Sequence, residues 1–191
     1  VETIDRDRLA NAGVAVVVAD DDRSRATRRV VACGMPLPRH EIRVVDDGDR
    51  ELPERHEGHV QFRGPSATQG YFANPAASAR LLRDGWLESG DRGYLAAGEL
   101  FLTGRSKDII IRAGRNIYPA ELEDAIGVLD GIRQGHVAVF GVQDPASGTE
   151  RVVVLAETRK RTDSARATLC DAINQLAADL IAAPPDEIVL A

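Results

Sequence analysis

Lysine is nearly absent from this 191-residue chain, occurring only at Lys107 and Lys160 among 24 basic residues. Almost every positive charge is therefore an arginine, and 30 acidic residues bring the net charge to −6. An acidic balance of this kind excludes general nucleic-acid affinity. Cys33 and Cys170 lie far apart with no CxxC pair, which excludes a disulfide framework and a cysteine-based zinc site. No apolar run is long enough for a membrane span, and "VETIDRDRLA" lacks the build of a signal peptide. A reduced, cytoplasmic setting is the expectation. The usual catalytic motifs are missing too. There is no phosphate loop ending in Gly-Lys-Ser/Thr, no GxGxxG opening a helix and no GxSxG elbow. Ser89 and Ser106 have no histidine near them in sequence to act as a base. "HEGH" at 56–59 places two histidines in an apparent loop without the further ligands a metal needs, so both read as structural or solvated and no metal site is expected.

An apolar fraction of 43% with 28% charged residues fits a globular protein, and the length allows one medium domain or a domain plus a smaller lobe. The texture changes near residue 105. Before it lie short β-type runs, 14–19, 40–46, 58–64 and 98–104, bounded by Gly, Pro and Asp clusters. A helix is expected over 75–83, with Pro75 in its first turn. After residue 105 the order reads strand, helix, strand, strand, helix. The first of these helices spans about 119–129, the strands cover 136–142 and 151–157, and the last helix starts at Thr162 or Asp163. Leu169, Ile173, Leu176, Ala177 and Leu180 share one face of it at helical spacing. The fold class is α+β (α/β) in two lobes meeting near 103–108.

Three stretches could carry chemistry. "GHVQFRGPSATQGYFANP" (58–75) ends a strand and enters a polar loop, whose plain reading is a surface turn. In "GWLESGDRGYL" (85–95), Asp91 sits between glycines in what looks like a tight turn before a strand. It is either an ordinary turn residue or a carboxylate free to accept from a vicinal diol such as a ribose. "TGRSKDIIIRAGRNIYPAELE" (103–123) sets Arg105, Lys107, Arg112 and Arg115 against Asp108. Most basic clusters are solvated faces, but Gly104 and Gly114 would also let backbone approach a ligand closely.

Taken in order, "GMPLPRHEIRVVDD", "GHVQFRGPSATQGYFANP", "GWLESGDRGYL" and "GELFLTGRSKDIIIRAGRNIYPAELE" resemble the adenylate-forming (AMP-binding) superfamily. That superfamily includes the acyl-CoA synthetases and the fatty acyl-AMP ligases. The likeness runs from about residue 30 to 158, with the spacing between motifs matched, and extends more weakly to "IDRDRLANAGVAVVVADDD". It implies that residues 1–104 are the β-rich end of a large N-terminal adenylation lobe. Residues 105–191 would be a small, truncated α+β lobe with a short mixed sheet and flanking helices, hinged near 107. The implied reaction joins ATP and an acyl carboxylate into an acyl-adenylate, then passes the acyl group to CoA or the phosphopantetheine of an acyl carrier protein, with Mg2+ among the cations at the phosphates. By the same resemblance Asp91 and Arg105 bind the nucleotide, Lys107 is the hinge, and Gly114 and Arg115 lie on the loop brought in for thiol transfer. The resemblance also shows gaps. The phosphate loop, the rest of the N-terminal lobe and a C-terminal adenylation lysine are absent, and Lys160 lies in the wrong place to replace that lysine. No complete catalytic set is expected, and with the chain starting at Val the expectation is a fragment of a ligase that is inactive alone. The alternative is a non-catalytic interaction or regulatory module reusing the fold.

Overall fold

The computed structural model describes residues 1–19, 26–145 and 148–191 and divides into two compact units, Val1–Lys107 and Asp108–Ala191. The first opens with β1 (Glu2–Asp5) running into α1 (Arg6–Ala12). Asp5 caps this helix by accepting from the Arg8 N–H at 2.9 Å, and Gly13 ends it at φ 63°, a left-handed conformation that suits glycine. β2 (Thr27–Val30) pairs antiparallel with β1. The run 14–19, expected as a strand, forms only isolated bridges, Val17 with Ile4 and Val14 with His56. Its hydrogen bonds are divided. Val16 and Val18 bond to Asp5 and Thr3, whereas Ala15 bonds to Arg55. Backbone shared between two partners builds a continuous ladder on neither.

A six-stranded antiparallel sheet forms the body of this unit. It comprises β3 (Ala32–Gly34), β4 (Glu41–Val45), β5 (Gly58–Arg63) and, after the short helix α2 (Pro75–Leu81), β6 (Leu82–Arg83), β7 (Trp86–Ala96) and β8 (Glu99–Arg105). The order is β3-β8-β7-β5-β4, with β6 also paired to β7. Two-residue turns with positive φ at both positions, Asp84-Gly85 and Ala97-Gly98, close the β6–β7 and β7–β8 hairpins. Their twist matches that of the strands they join. Val44, Val60 and Leu100 pack with Ile42, Leu52 and Leu95. Tyr94 stacks on Phe101 at 5.0 Å between ring centroids, and the guanidiniums of Arg43 and Arg63 both lie over Trp86, at 4.4 and 4.3 Å.

The second unit begins with the hairpin β9 (Ile110–Arg112) and β10 (Arg115–Ile117), followed by α3 (Pro119–Gly127). A mixed sheet then forms from β11 (Ile132–Gln143), β12 (Glu150–Thr158) and, after α4 (Asp163–Ile181), β13 (Glu187–Leu190). β11 is antiparallel and β13 parallel to β12. The α+β class with a short mixed sheet is therefore the one the sequence suggests. Thr162 caps α4 through Ala165. Leu169, Ile173 and Ala177 of its expected apolar face are buried together with Ile181, against Leu122 and Ile126 of α3 and Val139, Val152 and Val154 of the sheet. β13 was not foreseen after "APP". Its alternation is short, with Ile188 and Leu190 turned to the core, and the parallel pairing that makes it a strand is remote in sequence.

One ion pair fastens the N-terminal strand to the six-stranded sheet. Arg55 donates to both carboxylate oxygens of Glu2 at 3.0 Å, and the Tyr94 hydroxyl lies 3.4 Å from the same group. The hydrogen bonds from Arg55 hold Glu2 below its ordinary value of 4.5, while burial pushes the Tyr94 phenol up. A carboxylate with a lowered folded pKa stabilises the fold above its unfolded value and loses that contribution as pH falls through the folded one. Arg55→Ala is therefore expected to cost about 1–2 kcal/mol at pH 7. The gap from wild type should narrow as pH drops below Glu2's ordinary range. Urea unfolding at pH 7 and pH 3 measures both, and an equal gap at the two pH values would contradict the assignment.

Candidate nucleotide site

Asp91 lies in a bulge inside β7 rather than in a turn ahead of a strand. On the β5 side His59 pairs with Arg92 and Gln61 with Glu88, so Ser89, Gly90 and Asp91 together oppose Val60 alone. Gly90 takes φ 79°, and the Asp91 N–H donates to Ser89 Oγ at 3.0 Å. The left-handed glycine that would reverse the chain in a turn here absorbs extra residues, because pairing continues on both sides. Bulges re-aim side chains in this way. On the other side Asp91 is paired with Arg105 of β8, and its Oδ1 lies 3.5 Å from Arg105 Nε. The carboxylate is 28% exposed and the guanidinium side chain 75%. Asp91 is thus set in the sheet wall, and Arg105 reaches it from the solvent side.

A second irregularity faces the first. Arg92 pairs with Gly104 and Gly93 with Leu102, which leaves Thr103 as the extra residue on β8. Both irregularities close around Glu57, whose side chain is fully buried. Thr103 donates its hydroxyl to Glu57 Oε1, Arg92 Nε lies 3.4 Å from Oε2, and Arg28 donates to the Thr103 carbonyl at 2.6 Å. Just past the irregularities the strands approach closely: a Cβ at Gly93 would stand 2.4 Å from the Phe101 carbonyl oxygen and 3.2 Å from Val60 Cγ2.

Beyond Arg105 the chain turns. The Ser106 N–H donates to the Gly90 carbonyl at 2.9 Å, and Lys107 is exposed as the last residue of the first unit. The sequence offers Ser106 no nearby histidine, but the fold supplies one. His59 Nδ1 lies 3.4 Å from Ser106 Oγ, across a separation that only the sheet registers bridge.

Gly114 and Arg115 belong to the second unit. The basic, isoleucine-rich run is a hairpin and not a single strand, because Ala113 and Gly114 take φ 51° and 77° and Arg112 pairs with Arg115. A Cβ at Gly114 would meet nothing within 4 Å. Arg112 is committed to the fold, donating to the Pro184 carbonyl at 3.0 Å and to Asp186 at 3.1 Å. Lys160 is also committed. Its Nζ lies 2.6 Å from Asp130, whose carboxyl is lowered by that hydrogen bond, and its stem covers Gly131. Among the described residues, no group of three or more His, Cys, Asp or Glu side chains is placed to hold a metal ion, and no helix is long and apolar enough to cross a membrane.

The AMP-binding enzyme family model matches residues 9–72. A Caulobacter vibrioides protein, named provisionally as an acyl-CoA synthetase, is 41% identical over 177 residues; the match covers 92% of this chain and 30% of that protein. The long-chain-fatty-acid–CoA ligase of Salmonella typhimurium is 34% identical over 139 residues, covering 72% of this chain and 24% of the ligase. The chain belongs to the adenylate-forming family. It spans 24–30% of the length of these curated relatives. Adenylate-forming enzymes also supply its structural neighbours. Fatty acyl-adenylate ligases from E. coli and L. pneumophila superpose with a TM-score of 0.86 at 31% identity, over 99% of this chain and 33% of theirs. McyG A-PCP, complexed with phenylalanyl-adenylate, gives 0.76 at 32% identity, over 85% of this chain and 29% of its own.

Two glycine substitutions separate the forces that shape this sheet. Gly93→Ala pushes a methyl into backbone and should cost about 1–3 kcal/mol. Gly90→Ala meets open space and should cost only the left-handed strain, about 1–2 kcal/mol. Denaturant unfolding gives both values. Nuclear magnetic resonance of the backbone should show the β7–β8 amides disturbed in the Gly93 variant alone.

Proposed function

We propose that this chain is the ribose-binding and hinge-bearing part of an acyl-activating ligase. In the first half-reaction an acyl carboxylate oxygen bonds to the α-phosphorus of ATP and pyrophosphate leaves. In the second, a thiol sulfur bonds to the acyl carbon and AMP leaves as the good leaving group. The acceptor is CoA or a carrier-protein pantetheine, and a fatty acyl chain fits the names carried by the relatives. The observation that supports this reading most is the paired Asp91 and Arg105 at the bulge. A walled carboxylate beside an exposed guanidinium suits a diol next to a phosphate, since the carboxylate can only accept and the guanidinium can only donate. Mg2+, which in this family supplies positive charge at the phosphates, is assigned no ligand in this chain, because its described residues offer no metal-binding group. Lys107 serves as the pivot, and Gly114 and Arg115 as the loop presented for thiol transfer.

Asp91→Ala, made in an enzyme that contains this stretch in full, should weaken ATP about 10- to 100-fold. That is the loss of charged hydrogen bonds to two hydroxyls. The apparent affinity for the acid should be nearly unchanged. Pyrophosphate exchange at varied ATP reads this directly, and an unaltered ATP dependence would reduce Asp91 to a structural bulge residue. Residues 1–191 alone should show no acid-dependent exchange above a boiled control.

Lys107→Pro tests the pivot in the same enzyme. Proline fixes φ near −65°, so one orientation should be lost. One half-reaction should stay near the wild-type rate and the other collapse. Equal slowing of both would remove Lys107 from the role.

A further inference from the structure

His59 sits where no reading of the reaction requires it. It projects from β5, an inner strand of the sheet, between a loop carboxylate and the turn that follows β8. Its Nε2 lies 3.0 Å from Asp47 Oδ1. Its Nδ1 faces Ser106 Oγ at 3.4 Å and Glu88 Oε1 at 3.9 Å. Glu88 Oε1 is buried and has no hydrogen-bond partner, whereas Oε2 accepts from Gln61 Nε2 at 3.2 Å. Gln61 is itself completely buried, and it donates to Asp49 at 2.8 Å and accepts from Arg43 at 2.9 Å. Glu88 is therefore held through Oε2 by a polar network with little freedom to rearrange, while the ring itself meets Asp47 and Ser106.

With the ring proton on Nε2, donated to Asp47, Nδ1 is left as an acceptor. The only hydroxyl facing it in this cluster belongs to Ser106. Ser106 is then held twice, by its N–H on the Gly90 carbonyl and by its O–H on His59. Both holds end one residue before Lys107, and the first grips the glycine next to Asp91.

We propose that His59 is a positioning residue that clamps the segment 105–107 through Ser106, so that the pivot starts at Lys107 and not earlier. The proposal rests on the reading of Lys107 as the pivot, although the clamp itself is a property of the first unit. A clamped Ser106 keeps Arg105 in register with Asp91 while residues beyond it are free to turn. An unclamped one lets β8 fray from its C-terminal end, and the nucleotide pair separates with it.

The test reads mobility of the segment in the 191-residue chain, where trypsin can cut after Arg105 and Lys107. Ser106→Ala and His59→Gln should each raise cleavage there about 5-fold or more at unchanged urea midpoint. Glutamine can keep the Asp47 contact at the Nε2 position but not the Ser106 contact. His59→Asn places its amide near the Nδ1 position and should restore slow cleavage, which a role in packing alone would not do. Because both single variants remove one shared contact, the double variant His59→Gln/Ser106→Ala should cleave no faster than either. Unchanged cleavage in Ser106→Ala, or additive rates in the double variant, would overturn the clamp. Ser106→Ala carries the test by itself if a His59 variant fails to fold. The outcome is separable from the pivot reading. That reading fails on the half-reaction rates of Lys107→Pro, whereas the clamp fails on proteolysis of a chain that need not catalyse anything.

Discussion

The first unit depends on the absence of a side chain at Gly93. A methyl there would stand 2.4 Å from the Phe101 carbonyl oxygen, so β7 and β8 can pair at this point only through glycine. That close pairing brings Tyr94 against Phe101 with their rings stacked, and one residue of β8 is skipped between it and the register in which Asp91 meets Arg105. Two irregularities lie just ahead of Gly93 along β7. One strand carries extra residues before Gly93 and the other carries Thr103 opposite it, and the buried carboxylate of Glu57 ties the displaced backbone together through Thr103 and Arg92. A buried charge with two donors is costly to disturb. The candidate site thereby stands on a part of the sheet that cannot slip by one residue without orphaning Glu57.

The second unit solves a different problem with the same arginine-rich composition. Of the four cations near its start and the end of the first unit, Arg112 is spent on Pro184 and Asp186, and Asp186 in turn accepts from the Val152 N–H at 2.7 Å. A rigid, planar donor suits such a double contact, and lysine would not replace it. Lys107, one of the two lysines in the chain, stands exposed where the two units divide. A lysine side chain there is flexible and hydrated and carries no fixed fork of bonds of the kind Arg112 makes.

Much of this was legible in the sequence, and what was missed shares a cause. Strands with alternation and turns with glycine were readable at 40–46, 58–64 and 98–104, as was the apolar face of α4. The bulge was half readable. Gly90 does take the left-handed conformation that "SGD" suggests, but whether such a glycine turns the chain or bulges a strand is decided by what pairs on either side. The same holds for 14–19, where a good β sequence has its hydrogen bonds split between Thr3 and Asp5 on one side and Arg55 on the other. It holds again for β13, which needs β12 beside it. His59 and Ser106 meet only because β5, β7 and β8 are adjacent, and no local pattern carries that information.

The anchoring of the β9–β10 hairpin bears on how Gly114 and Arg115 could act. Glu150 accepts from the Ile111 N–H at 2.6 Å, Thr149 bonds to Ala113 and Ile111 at 3.2 Å, and Arg112 reaches Asp186. Ile110 and Ile117 are part of the unit's core. The hairpin is therefore a fixed projection of the second unit and not a loop that folds over a substrate on its own. Its tip is open, since a side chain at Gly114 would touch nothing, and so it can meet a partner without first shedding contacts. If the proposed pivot at Lys107 turns, the hairpin must travel with its whole unit as one body. The work of positioning the tip then falls on the few residues that hold the segment before the pivot. That is the physical reason for expecting Ser106, which bonds to Gly90 and faces His59, to set how stiff the segment before the proposed pivot is.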